Sequence, residues 1–438
     1  MIAVGFLILL AGAVPAAPAQ HEADGSPSMA ARYVDPVSGM ALSELIAQAM
    51  ARAPWLQGAR LEVVAARHAV AQAGLRANPS VGVEYRHEPG GTDRQLMASA
   101  EWPMELFRRK ARVTTATSES EAVAAGVENR ERLLRIDIEA QYGRLLAAVH
   151  HLVLLEEISL VSHRWLALIE ARQAEGAIPR VERDAARLDA GRLDAQRELA
   201  RGTADAELIV LKRLVGLSPS APLKVRETLE QAVAANPPVE RLPETASAAR
   251  ADIREAVSRV GVEASRTRQL RAEARFDVSL TGGYMRMDAG FPQEAFGPSG
   301  QLQRIRGVFH NAVIGAQVLV PLFNRNQGAI AAADSRRAAA ERAVDAARLL
   351  AEADVAAAES RLHAALAALA MFNGPLRESA RRNVDVIREA FELGRNTLVD
   401  VLAEQRRYLE VEMAYSEALV EAFGAQAARR AARGGFDK

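Results

Sequence analysis

Residues able to bind a metal or catalyse a reaction are few and scattered in this 438-residue chain. It contains eight histidines and no cysteine, which excludes disulfides, thiolate metal sites and a catalytic thiol. His150 and His151 are adjacent rather than four residues apart, and His68, His163 and His363 stand alone in Ala-rich segments. No Gly-rich phosphate loop and no Gly-x-Ser-x-Gly motif occur. We therefore predict no catalytic residues, no metal site and no cofactor, so the protein is not an enzyme.

Carboxylates near a predicted helix start could act through their charge instead. Asp400 follows Gly394 by six residues at the start of a helical pattern, where an acid is stabilised by the helix dipole. Glu404 lies one helical turn further along. Arg395 could form an ionic link in this turn, although an exposed ion pair of little value explains it equally well. Taken alone, Asp400 is most simply a solvated acid.

The elements that position these residues follow a duplicated plan. Pro103 and Pro321 each follow a strand-like run, and Gly176 and Gly394 each interrupt a long helical pattern. Both pairs are separated by the same interval, since 321 − 103 and 394 − 176 both give 218. A shared offset predicts a repeated helix–strand–strand–helix–helix unit. The glycines are predicted helix C-caps in hairpin turns, and the prolines are predicted strand–helix junctions.

Each half contains two segments in which apolar and polar residues alternate, as expected for strands with two different faces. These segments begin near Ser80, Gln95, Asp277 and Ala312. About ten residues suffice for a tilted strand to cross a bilayer, but the smallest barrels need about eight strands. If these strands lie in a membrane, several copies of the chain must pool them. Residues 285–310 are predicted to form a long external loop.

The helical segments are too long for an ordinary globular domain. Segments 104–172 and 326–393 would each extend about 100 Å at about 1.5 Å per residue. Two pairs of shorter segments reach a similar length together: 181–216 with 251–275, and 42–77 with 398–430. Gly374-Pro375 is expected to kink the second long helix rather than end it. The predicted fold is mainly α with a small membrane β part.

The last helix shows coiled-coil spacing with a seam of mostly apolar residues. The seam residues are Leu398, Val401, Leu402, Gln405, Leu409, Met413, Ser416, Leu419 and Val420. A secreted coiled-coil tether or structural protein would also explain the long helices. It would leave the four symmetrically placed strands unexplained.

Changes in composition and the positions of the prolines and glycines divide the chain into six parts. Residues 1–19 are a predicted signal peptide, because an apolar run too short to span a bilayer precedes Ala17-Pro18-Ala19, although a basic start is missing. No later stretch is expected to be long and apolar enough for a membrane helix, so any membrane span would consist of strands. Equal numbers of acidic and basic residues, 55 each, argue against a nucleic-acid partner. The remaining parts are an N-terminal segment (20–41), a first repeat (42–216), a Pro-rich linker (217–248), a second repeat (249–430) and a tail (431–438).

Two stretches carry a family resemblance. Residues 320–330 read Val-Pro-Leu-Phe-Asn-Arg-Asn-Gln-Gly-Ala-Ile, and residues 391–402 read Phe-Glu-Leu-Gly-Arg-Asn-Thr-Leu-Val-Asp-Val-Leu. With the duplication and the two strand pairs, they resemble the TolC-like outer-membrane efflux factors over essentially the whole mature chain. The Asn-Arg-Asn-Gln-Gly variant at 324–328, with residues 105–110, is more similar to the CzcC-like heavy-metal branch.

The resemblance implies a homotrimer whose strands form one barrel in outer-membrane lipid and whose helices form a periplasmic tunnel. Such a tunnel docks on a periplasmic adaptor (membrane fusion) protein of an inner-membrane pump, here expected to be of the RND type. The chain would be a passive exit duct for heavy-metal cations; multidrug efflux and type I secretion are the alternatives. Many relatives carry a lipidated cysteine at the mature N-terminus, which this chain lacks.

The resemblance also assigns roles to individual residues. In the family, acids at the position of Asp400 form a ring that narrows the closed tunnel and attracts cations. A second acid often follows three residues later, but this chain has Ala403 there and Glu404 next. Arg395 could brace the closed tip. The expected adaptor-contacting residues lie in segments 176–184 and 394–400: Gly176, Pro179, Val181, Asp184, Gly394, Asn396, Thr397 and Val399.

Overall fold

The computed structural model describes residues 29–89, 91, 93–235 and 250–434. The predicted signal peptide, part of the N-terminal segment, the second part of the Pro-rich linker and the last four residues lie outside the described residues. No structural statement below concerns them.

The described elements follow one another in the order of a duplicated unit. The helices and strands are α1 (Leu42–Arg52), α2 (Pro54–Ala73), β1 (Ser80–His87), β2 (Arg94–Pro103), α3 (Arg108–Ala174), α4 (Arg180–Val215), α5 (Leu229–Ala234), α6 (Ala251–Glu273), β3 (Asp277–Phe296), β4 (Leu302–Leu319), α7 (Gln327–Met371), α8 (Arg377–Glu392) and α9 (Leu398–Ala432). The order α2–β1–β2–α3–α4 recurs as α6–β3–β4–α7–α8–α9. The predicted fold class, mainly helical with a small sheet, is confirmed.

The two helix hairpins end in the same hydrogen-bonded cap. Gly176 has φ +77° and Gly394 has φ +71°, a left-handed conformation that a side chain disfavours. The next residue donates its N–H to the carbonyl of the residue five positions earlier, Ala177 to Arg172 and Arg395 to Ala390, at 2.9 and 2.8 Å. This is the Schellman arrangement, which satisfies the last carbonyls of each helix.

The long helices lie side by side. α3 has 67 residues and therefore extends about 100 Å. It packs against α4 and α9 along one part of its length and against α2 and α6 along the other, and α7 packs against α6 and α9. Gly143 of α3 allows the ring of Phe423 in α9 to approach, since an added Cβ would lie 2.6 Å from that ring.

Two prolines interrupt the predicted helices in different ways. The predicted helix over 42–77 is broken, because Ala53 is extended and Pro54 begins a new helix as its first residue. Proline disfavours a helical conformation in the residue before it, which explains the correction. At Gly374-Pro375 the helix kinks through a π-helical turn, Phe372–Leu376, and continues as α8. That kink was predicted.

The sheet is antiparallel, with the order β1-β2-β3-β4. The predicted external loop over 285–310 is wrong, because β3 and β4 continue pairing through most of it and only residues 297–301 join them. The rings of Phe291 and Phe309 pack edge to face at 5.8 Å in this extension. The Gly, Pro and Gln content of the segment concealed its strand character.

The main core lies at the middle of the helices, where the N-terminal segment and the start of the linker meet α3 and α4. Tyr33, Leu45 and Val225 are fully buried there. Val34 and Met40 both form bridges with Val225. Of the α9 seam, Leu398, Val401, Gln405, Leu409, Ser416 and Leu419 are buried, as the spacing predicted.

Two described helical regions contain stretches long and apolar enough to cross a membrane by length and composition, Arg108–Ala174 and Gln327–Glu392. The expectation that no such stretch follows the signal peptide is therefore wrong. Half of the stretch in α3 is buried in the core. Alanine and leucine packed between long helices produce the same composition as a membrane span.

Candidate functional site

The two hairpin tips pack against each other through a small apolar cluster. Ile169 and Ala186 of the first hairpin and Phe391, Leu398 and Val401 of the second are buried together. The rings of Trp165 and Phe391 lie 5.9 Å apart, edge to face. Guanidinium groups of Arg388 and Arg172 cover these rings at 5.3 and 5.8 Å. The hairpin tips therefore form one unit within the protomer.

Equivalent residues of the two hairpins are exposed at this end. Val181 and Val399 are 218 positions apart and are 72% and 69% exposed. They follow Pro179 and Thr397, the N-cap residues of α4 and α9. Each tip therefore presents one exposed apolar side chain that is available to a partner.

The other predicted tip residues surround these valines. Nothing lies within 4 Å of a Cβ added to Gly176 or Gly394, so both turns face open space. Asp184 is exposed and accepts hydrogen bonds from Arg183. Asn396 is half-buried beside the second turn.

Asp400 caps the helix that follows the second tip. Its Oδ2 accepts hydrogen bonds from the Thr397 N–H at 2.9 Å and from the Thr397 hydroxyl at 2.8 Å. The Thr397 Oγ1 in turn accepts from the Asp400 N–H at 3.3 Å, completing a capping box. The Thr397 N–H and, next, its hydroxyl hold the pKa of the Asp400 carboxyl below its usual value. The side chain is exposed, so this tip carries an ionised acid at neutral pH.

Glu404 and Arg395 differ from Asp400 in their surroundings. The Glu404 side chain is only 13% exposed and binds Arg407, with Oε2 and Nη1 2.9 Å apart. Arg395 is exposed, and within the described protomer its side chain forms no ion pair. Of these two acids, Asp400 is thus the one that the tip presents to solvent.

The sheet has two chemically different faces. Along β2, exposed residues alternate with partly covered residues. The exposed face is mostly apolar across all four strands and includes Val81, Val83, Tyr85, Leu96, Trp102, Leu280, Tyr284, Ile314 and Val318. The opposite face is mostly polar and includes Gln95, Ser99, Glu101, Ser279, Thr281, Asn311 and Gln317. The wall of a membrane barrel has apolar residues on its outer face and polar residues on its inner face, and this sheet shows the same division.

The outer strands of the sheet have free edges. β1 pairs only with β2, and β4 pairs only with β3, among the described residues. Unpaired edge groups in hydrocarbon are costly, so an isolated four-stranded sheet is not a stable membrane structure. The edges of β1 and β4 are therefore available to further copies of this sheet.

The predicted junction prolines lie at the strand ends. Pro103 is the last residue of β2, and Pro321 follows the end of β4 at Leu319. Trp102 beside Pro103 donates its indole N–H to the Ala77 carbonyl at 3.1 Å, and Phe323 is exposed. Both prolines precede the first turn of the next helix, α3 and α7 respectively, rather than lie within it.

The described residues contain no group of three or more His, Asp and Glu side chains placed to hold a metal ion. The adjacent His150 and His151 lie on α3, where burial is the main cause that lowers the pKa of His151. The acidic tip and the two-faced sheet are the features with functional chemistry.

No protein-family profile and no curated protein sequence matches the chain. Solved structures do match it. The outer-membrane protein VceC from Vibrio cholerae is 19% identical, with a TM-score of 0.70 over 90% of this chain and 96% of VceC. CusC, described in terms of transmembrane channel formation, is 18% identical, with a TM-score of 0.73 over 94% and 97%.

A third match extends the comparison to an open channel. The open state of the Neisseria gonorrhoeae outer-membrane channel MtrE is 17% identical, with a TM-score of 0.70 over 90% of this chain and 89% of MtrE. At such identities the likeness concerns the fold, and it covers nearly the whole length of each protein. The chain therefore has the fold of the TolC-like outer-membrane channels, as its sequence predicted.

Proposed function

We propose that the protein is the outer-membrane channel subunit of a tripartite efflux system and serves as a passive exit duct. The observation that carries this proposal is the two-faced, open-edged sheet joined to helices about 100 Å long. The apolar face suits lipid, and the polar face suits a water-filled lumen. The helices would extend the duct through the periplasm.

The working unit is a homotrimer in this proposal. A four-stranded sheet with free β1 and β4 edges needs further strands to close, and the smallest barrels use about eight. Edge pairing between copies would satisfy every backbone group at membrane depth. Three copies also agree with the TolC-like fold.

The hairpin tips are the proposed docking site for a periplasmic adaptor. Gly176 and Gly394 mark the turns, and Val181 and Val399 expose apolar side chains beside them. Because the two hairpins present equivalent residues, an adaptor could contact both with the same chemistry. The adaptor in turn would link the duct to an inner-membrane pump, which we propose to be of the RND type.

Asp400 is the proposed constriction residue. Three copies around an axis would place three ionised carboxylates at the tip, and such rings favour cations. Glu404 contributes less because Arg407 neutralises it. Arg395 is the residue we propose to link neighbouring subunits, since it is exposed and forms no ion pair within the described protomer.

Heavy-metal cations are the substrate class we propose. The Asn-Arg-Asn-Gln-Gly run at 324–328 and the acidic tip both support it. Multidrug efflux and type I secretion use the same fold and stand as the alternatives. The secreted coiled-coil tether is not favoured, because it does not account for the lipid-suited face of the sheet.

A sensitivity panel tests this assignment. A strain lacking the gene is compared with the same strain carrying the wild-type chain, against zinc, cobalt, cadmium, nickel, copper, silver, dyes and antibiotics. We expect selective loss of metal resistance that the wild-type chain restores. Loss confined to organic compounds would contradict the heavy-metal assignment and leave the exit duct intact.

A further inference from the structure

Three of the ten methionines lie on the polar face of the sheet. Met97 belongs to β2, and Met285 and Met287 belong to β3. All three are partly covered, whereas their strand neighbours Leu96 and Arg286 are exposed on the other face. Thioethers stand out on a face that is mostly polar, where Val313 and Phe309 are also apolar.

The pairing of the strands brings these methionines together. Met97 is directly opposite Met285, and Gln95 beside it is opposite Met287. Directly opposed residues have Cβ atoms about 4.5–5.5 Å apart, and diagonal neighbours remain within reach of long side chains. Met285 and Met287 are two residues apart on one strand and so point to the same face. Three flexible thioethers can therefore reach one point above the sheet.

A glycine and an amide lie beside Met285 on this face. Gly283 precedes Met285 on the same face, and the Met97 methyl group lies 3.9 Å from where a Gly283 Cβ would be. The Gln95 side-chain nitrogen contacts the Met285 sulfur, so this sulfur already accepts a polar partner. All three methionines are partly covered and so remain partly open to solvent on the polar face.

Oxygen ligands lie in the same row across the sheet. Glu84 of β1 is paired with Met97, and Asn311 of β4 is paired with Met285. From β1 to β4, this row therefore consists of a carboxylate, two thioethers and an amide. The Glu84 carboxylate is held by Arg86 at 2.8 Å, so the neutral thioethers are the candidate ligands in this row.

We propose that Met97, Met285 and Met287 form a soft-metal site on the lumen face that takes monovalent copper or silver. Thioether sulfur is a soft ligand that selects Cu(I) and disfavours harder divalent ions. This inference rests on the proposed function, because it makes the polar face the wall of the duct. It narrows the proposed substrate class from heavy metals in general to soft monovalent cations.

The site is suited to passage rather than storage. Conduction requires binding that is favourable enough to admit an ion and weak enough to release it. Neutral thioethers without a cysteine thiolate provide such moderate binding. In a trimer the site would occur three times at one level of the barrel. A bound ion could then move from one site to a neighbouring one.

Silver(I) is the probe, because it needs no reductant to remain monovalent. The detergent-solubilised full-length trimer is dialysed against silver nitrate, and bound silver is measured by mass spectrometry at several free concentrations. The test variant is the triple substitution Met97→Leu, Met285→Leu and Met287→Leu, which keeps side-chain size. The matched control is Met371→Leu, at a methionine that is 71% exposed at the end of α7.

We expect wild type and the Met371→Leu control to bind silver alike. The triple variant should bind it about a hundredfold more weakly, since losing even an outer-shell partner of a metal site costs about 10–100-fold. All three proteins should bind zinc much more weakly than wild type binds silver. Equal silver binding by the triple variant and wild type, or equal zinc and silver binding by wild type, would overturn the proposal.

Potassium conductance of the same preparations separates this proposal from the proposed function. If the triple variant loses silver binding and still conducts, both proposals stand. Conduction without any difference in silver binding overturns the metal site alone. Absence of conductance in wild type overturns the exit duct, and with it the assignment of the methionine face to a lumen.

Discussion

At the scale of single residues, the tip acid Asp400 serves two purposes with one carboxylate. Oδ2 caps α9 through Thr397, and the side chain remains exposed. Capping lowers the pKa of this carboxyl, so the charge persists as the pH falls. A carboxylate that is fixed and ionised at neutral pH is a suitable element for a cation-attracting ring.

Neutralising Asp400 should therefore weaken the block of the channel by multivalent cations. Asp400→Asn removes the charge and keeps the side-chain shape, and single-channel recordings with a trivalent cation measure the block. The matched control is Glu182→Gln, because Glu182 occupies the equivalent position in α4, 218 residues earlier. An unchanged block in Asp400→Asn would remove Asp400 from the constriction.

The pH dependence of the wild-type block should follow the lowered pKa. An Asp with an ordinary pKa of about 3.9 is already ionised at neutral pH, and a lowered pKa extends the ionised range downward. The block should stay constant from pH 8 to about pH 5 and weaken only below the ordinary range. A midpoint near pH 6 would indicate that another group controls the block.

At the scale of elements, a buried ion pair joins the end of α9 to α3. The Glu139 side chain is 2% exposed and binds Arg430, while its Oε2 has no hydrogen-bond partner among the described residues. Burial is the main cause that raises the pKa of the Glu139 carboxyl, with Arg430 opposing it. The folded protein therefore binds a proton here more readily than the unfolded chain does.

Removing Arg430 alone should destabilise the protein strongly. Arg430→Met leaves a buried carboxylate unpaired, at a cost of about 3–5 kcal/mol at neutral pH. Because the folded pKa of Glu139 is raised, the loss should shrink as the pH falls toward the folded pKa and grow as the pH rises. Thermal unfolding at pH 5, 6 and 7.5 measures this trend.

The double variant Arg430→Met with Glu139→Leu is the control for that experiment. Replacing both partners by apolar residues should recover most of the stability, since an apolar pair avoids the cost of burying charge. A double variant as unstable as Arg430→Met would show that packing, rather than the unpaired charge, causes the loss.

The exposed valines at the tips give a second prediction at this scale. The double substitution Val181→Asp and Val399→Asp should abolish efflux in cells and preserve the trimer and its conductance, because both side chains are exposed outside the buried tip cluster. Val181→Thr with Val399→Thr keeps the shape and should retain most activity. Retained efflux in the aspartate variant would place the adaptor contact elsewhere.

The elements also show what the sequence could and could not predict. The repeat predicted both hairpin turns, because only a glycine readily adopts the left-handed conformation found at Gly176 and Gly394. The pairing of residues 289–308 was missed, since Gly, Pro and Gln hide a strand whose partner lies on the other arm of a hairpin. Gly143 could not be recognised as a contact site, because the need for glycine arises only when α9 brings Phe423 against it.

The candidate sites, too, were predictable from the sequence only in part. Local chemistry predicted that Asp400 would lie near a helix start, and the capping box follows from its spacing to Thr397. The neutralisation of Glu404 by Arg407 and the joint position of three methionines depend on side-chain conformation and on strand register. A single sequence does not specify either with certainty, because a one-residue slip moves every side chain to the other face.

At the scale of the whole molecule, the open sheet and the long helices require partners. The free edges of β1 and β4 demand further strands at membrane depth, and the two hairpin tips lie at the far end of the helices. In the proposed function, the same chain offers a surface for lipid, edges for its own copies and tips for an adaptor. These three needs are met together by a trimeric duct.

The most direct test of that account is conductance of the purified mature protein in a planar lipid bilayer, with its mass in detergent measured in parallel. The account predicts a trimer that inserts and gives a small, cation-selective conductance that multivalent cations block. A water-soluble chain that neither forms trimers nor conducts would contradict it, and would leave the apolar face of the sheet to serve another partner.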